Sequence, residues 1–194
     1  MKFVGIISRV ILAVICFTAV PVCAQQENVS LEGIEIFFAY GKAPLINKED
    51  YRLVSLVADF DFDMRPWTKK FGFNPSSLVQ AQIEPFISGV FDPDANFEIG
   101  NSFFIKFGLL PQSFAVQPYI KTGVGMVYMS QHTMEQGSQF NFLCQLAGGV
   151  HCYLSEDTAF TVEYRYRHLS NSSIKDPNRG IDSLLTLFGM SYTF

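Results

Sequence analysis

"TAFTVEYRYRH", Thr158 to His168, places Phe160, Val162, Tyr164 and Tyr166 on one side and Thr161, Glu163, Arg165 and Arg167 on the other. Successive side chains of a β-strand point to opposite faces, so this run predicts a strand with one apolar and one charged face. The same division appears in "RLVSLVADFDF" (Arg52–Phe62), where Val54, Leu56, Ala58, Phe60 and Phe62 oppose Ser55, Val57, Asp59 and Asp61. In "ANFEIGNSFFIKFG" (Ala95–Gly108), Phe97, Ile99, Phe103, Ile105 and Phe107 oppose Glu98, Gly100, Ser102 and Lys106. Five further segments alternate less cleanly: Leu31–Gly41, Leu78–Val90, Gln117–Met129, Gln139–Leu154 and Asp182–Phe194. Past the N-terminal leader no stretch sustains a helical period. The expectation is an all-β, eight-stranded antiparallel barrel.

Alternation does not say which face meets water. A soluble barrel of the lipocalin type would turn its apolar face inward and its charges outward. Two features favour the inverse, a transmembrane barrel. The strands are about ten residues long with aromatics near their ends, as membrane-spanning strands require. The C-terminal "TLFGMSYTF" alternates Phe188, Met190, Tyr192 and Phe194 and resembles the final strand of bacterial outer-membrane barrels. Tilted by 45°, Asp182–Phe194 would span roughly 28 Å, close to the apolar band of such barrels. The charged face then lines a lumen filled by side chains.

The N-terminus carries Lys2 and Arg9, the apolar "VILAVICFTAV" and then "PVCAQQ". A short apolar run before Val22 and Ala24 predicts a signal peptide over residues 1–24, followed by one domain, 25–194. Pro21 and Val22, just before Cys23, lack the small residue expected of a lipoprotein site. Cleavage removes two basic and no acidic residues, leaving 12 basic against 18 acidic side chains and a net charge of −6. No basic tract points to nucleic acid. The two cysteines that remain, Cys144 and Cys152, share one predicted strand about 27 Å apart, far beyond disulfide reach.

"DFDFDM" starts like a calcium loop, but Met64 stands where the turn needs Gly and Lys70 where the bidentate Glu belongs. Asp59, Asp61 and Asp63 instead form one lumenal row for Lys106, Lys121, Arg165 and Arg167 to pair with. "GVG" at Gly123–Gly125 precedes no helix, so relief of crowding in a narrow barrel explains it better than phosphate binding.

In the strand from Thr158 even positions face lipid, which puts His168 and Ser170 on the outward row. Asp182 heads the outward row of the next strand. With a periplasmic N-terminus these groups converge on the extracellular rim, in the lipopolysaccharide leaflet. Ionisable groups facing lipid are costly. One reading is a polar strand end in the interfacial zone. The other is a catalytic set: Ser170 as nucleophile, His168 as general base, Asp182 orienting the imidazole, and Asn171 or a nearby backbone N–H as oxyanion donor or support. Parity leaves both open.

"RHLSNSSIKDPNRGIDS" (Arg167–Ser183) resembles the lipid A 3-O-deacylases of the PagL family, outer-membrane barrels with a His-x-Ser-Asn motif followed by an acidic residue. The resemblance implies a serine esterase that hydrolyses the 3-O-linked acyl chain of lipid A, with no metal or organic cofactor. It maps His168, Ser170 and Asn171 onto the motif. Asp182 stands where the family carries Glu, and Ser172 where Ala is usual. The expected partners are lipopolysaccharide as substrate and outer-membrane lipid as surroundings, and a homodimer stays open. The contrasting class is a structural or adhesive barrel with no use for the outward patch.

Overall fold

A computed structural model describes residues 29–45, 50–130 and 133–194. The expected signal peptide lies outside the described residues. Eight antiparallel strands follow one another in chain order: β1 (Leu31–Ala43), β2 (Tyr51–Asp63), β3 (Ser77–Asp92), β4 (Asn96–Pro111), β5 (Val116–Met129), β6 (Phe140–Tyr153), β7 (Thr158–Ser170) and β8 (Ile181–Thr193). Each pairs with its neighbours, and β8 closes on β1 through pairs from Gly33–Thr193 to Lys42–Leu184. Closure leaves no strand edge, so the backbone is satisfied without solvent.

Parity settles the choice between the two barrels. On β7, Tyr164 is 57% exposed while its neighbour Arg165 is 2% exposed. Phe38, Val54, Ile87, Phe103, Val124, Leu146 and Phe188 likewise face outward, whereas Glu35, Asp59, Glu84, Glu98, Lys106 and Lys121 are buried. An apolar outside around a charged inside is a transmembrane barrel.

The lumenal charges are paired across the barrel. Lys121 Nζ lies 3.0 Å from Asp59, 3.2 Å from Glu84 and 3.1 Å from Glu163. Arg165 donates through Nη2 to Glu84 at 2.7 Å and to Glu163 at 2.6 Å. Lys106 meets Glu35 at 2.6 Å, and Arg167 meets Glu98 at 2.8 Å. Gly123 faces inward where a Cβ would strike the Phe104 ring, so its small size does relieve crowding. That same ring lies under both Lys121 and Arg165.

Three features differ from the sequence reading. Asp63 leaves the lumenal row and pairs instead with Arg65 at the rim, 2.8 Å from its Nε. The lumen is also not charged throughout. Toward the rim of His168, Tyr51, Leu53, Met129, Leu143, Leu169, Ile181, Leu185 and Leu187 point inward and pack beside the buried Arg167–Glu98 pair. This apolar plug puts Leu residues on both faces of β8, which is why its alternation reads poorly. Finally, a short helix, α1 (Arg65–Lys70), joins β2 to β3. Pro66 near its start and Gly72 (φ +79°) just past its end are its local signals. The N–H groups of Gly72 and Phe73 bond back to the carbonyls of Lys69 and Thr68, a Schellman termination. Six residues are too few for a period to register.

With Cys144 and Cys152 replaced, single cysteines at Tyr164 and Arg165 are expected to separate completely. A lipid-soluble thiol reagent modifies the first and spares the second; equal labelling contradicts the parity. Arg165→Ala removes one of the two cations that Glu84 and Glu163 share and leaves Lys121 alone between them. Removing one partner of a buried pair costs about 3–5 kcal/mol, which denaturant unfolding followed by heat-modifiable gel mobility would register.

Candidate functional site

β7 and β8 pair so that His168 stands directly opposite Asp182. On its other flank His168 faces Cys144 of β6, and Ser170 faces Phe142. Outward parity therefore delivers His168, Ser170 and Asp182 to one patch of lipid-facing surface at the rim away from both termini. His168 Nδ1 and Asp182 Oδ1 are 2.6 Å apart. A carboxylate oxygen only accepts, so Nδ1 carries the proton and Nε2 is left as a free acceptor. Ser170 lies on the same row two residues along, about 6.6 Å away by Cα. Among the described residues its hydroxyl has no hydrogen-bond partner.

Two contributors escaped the sequence reading. Tyr166, placed there simply on the lipid face, donates its hydroxyl to the same Asp182 Oδ1 at 2.7 Å. Its position two residues before His168 on the outward row was legible, but the meeting with Asp182 depends on the β7–β8 register. Gly180 is the second. It has φ +77°, and a Cβ there would lie 2.7 Å from His168 Cε1. Only glycine lets the imidazole rest against this backbone.

Asn171 points away from the lipid face and is fully buried. Its amide donates to the carbonyls of Lys175 at 2.7 Å and Pro177 at 3.3 Å, and its backbone N–H donates to Asn178 Oδ1 at 2.8 Å. Those bonds tie down the loop 171–180, in which Ser172 and Ser173 take left-handed φ values of 52° and 61°. The preceding loop holds it from the side. Gly137 N–H donates to Pro177 O at 2.6 Å, Arg179 N–H donates to Glu135 O at 2.9 Å, and Gln136 bridges Asn178. The loop thus sets where Gly180 and Asp182 meet β7. An imidazole oriented by a carboxylate beside a free hydroxyl can take that hydroxyl's proton, which is the chemistry of acyl transfer.

Cys144 and Cys152 are both free thiols on β6, as their spacing predicted.

A family model described as lipid A 3-O-deacylase (PagL) matches residues 53–191, well over half of the chain. Among solved structures, the outer-membrane enzyme PagL matches at 17% identity with a TM-score of 0.66, covering 82% of this chain and 99% of that one. Neisserial surface protein A matches at 13% identity with a TM-score of 0.64, covering 86% and 99%. The N-terminal barrel of Pseudomonas aeruginosa OprF matches at 10% identity with a TM-score of 0.50, covering 84% and 98%. None of the curated proteins matches the sequence significantly. An enzyme and a surface protein fit the backbone almost equally well, so these likenesses carry the fold, and the family rests on the sequence model. This β-barrel of the bacterial outer membrane belongs to the lipid A 3-O-deacylase (PagL) family of hydrolases.

Proposed function

We propose that the chain is a serine esterase that removes the 3-O-linked acyl chain of lipid A from within the outer leaflet. The observation that carries this reading is the 2.6 Å contact between His168 and Asp182 on the lipid face, one step along the row from Ser170. Ser170 Oγ attacks the ester carbonyl as His168 Nε2 takes its proton. The tetrahedral intermediate collapses, and His168 returns the proton to the departing sugar hydroxyl. Water, activated by the same imidazole, then releases the 3-hydroxy fatty acid and regenerates Ser170.

The Asn171 amide is engaged by the loop, which favours its role as support over that of oxyanion donor. The N–H groups of Ser172 and Ser173, free of hydrogen bonds among the described residues, serve as the donors. The rival reading is a surface barrel without activity, for which the same fold would serve.

Mass spectrometry of lipid A from cells expressing the chain decides between them. The parent is expected to yield lipid A lacking one 3-hydroxyacyl chain, and Ser170→Ala to yield the intact lipid from an equally folded barrel. Intact lipid from the parent favours the surface barrel, and deacylation by Ser170→Ala removes the nucleophile.

Asp182→Asn should lower kcat by up to about 10⁴-fold with little change in KM, because the imidazolium it stabilises forms only during reaction. Tyr166→Phe should lower kcat roughly 10-fold, the worth of one hydrogen bond to a charged group. It should have no further effect in Asp182→Asn, and Asp182→Glu, with its longer reach, should offset it. Equal losses from Tyr166→Phe in both backgrounds would show that the phenol does not act through the carboxylate.

A further inference from the structure

The rim of the barrel opposite the site carries an apolar surface that the hydrolytic reading does not use. α1 and the residues after it expose Trp67 at 52%, Phe71 at 84% and Phe73 at 52%, and α1 itself has no buried residue. A helix that exposes large aromatics and packs none needs a covering surface.

The direction of these side chains follows from Arg65. Its guanidinium turns into the mouth of the lumen, donating to Asp63 at 2.8 Å, to Glu32 at 2.9 Å and to Gln112 across the opening. Successive helical residues are rotated by about 100°, so Trp67 lies about 200° round from Arg65. Pinning Arg65 to the mouth of the barrel thus turns Trp67 away from it, and Phe71 and Phe73 beyond the helix end are exposed as well. The strands β2, β3 and β4 beside the helix carry the outward residues Phe60, Ile83, Phe107 and Leu109 toward the same rim. Lys69 and Lys70 are exposed in the last turn and make no ion pair among the described residues.

From this placement we infer that residues 67–73 form an interfacial foot. Trp67, Phe71 and Phe73 enter the boundary between headgroups and acyl chains of the phospholipid leaflet at the terminal rim, and Lys69 and Lys70 lie against its anionic headgroups. The amphipathic indole of Trp67 favours that depth, the Phe71 and Phe73 rings supply apolar area to bury there, and basic residues favour an anionic surface. The foot fixes how deeply the barrel sits. Through the rigid strands it also fixes the height at which His168, Ser170 and Asp182 stand in the opposite leaflet. The occupant is lipid because the surface continues the membrane-facing band and pairs aromatic rings with positive charge.

Trp67 is the chain's single tryptophan, so the intact barrel reports on the foot without a mutation. In vesicles of phosphatidylcholine and phosphatidylglycerol, its emission is expected at shorter wavelength than that of an indole in water. Lipids brominated at shallow acyl positions should remove most of the intensity, and acrylamide little of it. Emission of a water-exposed indole, freely quenched by acrylamide and untouched by brominated lipid, would overturn the inference and leave a soluble partner as the occupant. The Lys69→Glu/Lys70→Glu double variant should lose bromolipid quenching in the anionic vesicles and keep it in wholly zwitterionic ones. An unchanged profile in both would overturn the assignment of the lysines to headgroups.

Discussion

No backbone N–H or C=O can remain unpaired in the hydrocarbon core of a bilayer, and the pairing of β1 with β8 removes the last two open edges of the barrel. Everything else follows from closure. A closed sheet has one inside and one outside, so the two-residue period of each strand becomes a division between lumen and lipid. A polar side chain on an outward position therefore has no protein interior to retreat into. His168, Ser170 and Asp182 stand on such positions, and their exposure to the membrane is a consequence of parity.

The interior is the counterpart of that division. In a barrel this narrow, the lumen has to be filled by side chains, and here the filling is in two layers. Around its middle, Asp59, Glu84 and Glu163 surround Lys121 and Arg165, with the Phe104 ring beneath the two cations. Mutual satisfaction offsets the cost of desolvating these ions, which is severe for any charge left alone. Nearer the site, Leu143, Leu169, Ile181, Leu185 and Leu187 form an apolar plug beside the buried Arg167–Glu98 pair. Leu169 and Ile181 pair directly behind the His168–Asp182 row, so the strands that carry the site rest on a packed backing. A site built on such rigid elements holds its geometry better than one built on loops.

The site itself depends on three restraints of different origin. Register brings His168 and Asp182 face to face. Tyr166 adds a second donor to the carboxylate oxygen that receives His168, which limits rotation of a side chain that would otherwise swing freely at an exposed position. Gly180 leaves space for the imidazole edge, and Asn171 with Gln136 and Gly137 holds the loop that delivers Gly180. The aspartate, shorter by one methylene than the glutamate the family resemblance implies, meets its histidine because the strands and the tyrosine bring the partners close.

Local covalent geometry was enough to read much of this from the sequence. Alternation in Thr158–His168 and Arg52–Phe62 located strands and faces, because Cβ directions repeat every two residues whatever the rest of the chain does. It placed His168 and Ser170 on one row and named Asp59, Asp61, Lys106, Lys121, Arg165 and Arg167 as lumenal. Where both faces are apolar, as on β8, the pattern faded, and α1 was too short to show a period. The partners of each charge, the departure of Asp63 to Arg65, the inward turn of Asn171, and the meeting of Tyr166 and Gly180 with the His168–Asp182 pair were decided by tertiary structure alone. These depend on cross-strand register and loop path, which are set only when all eight strands close together, and no single strand carries that information.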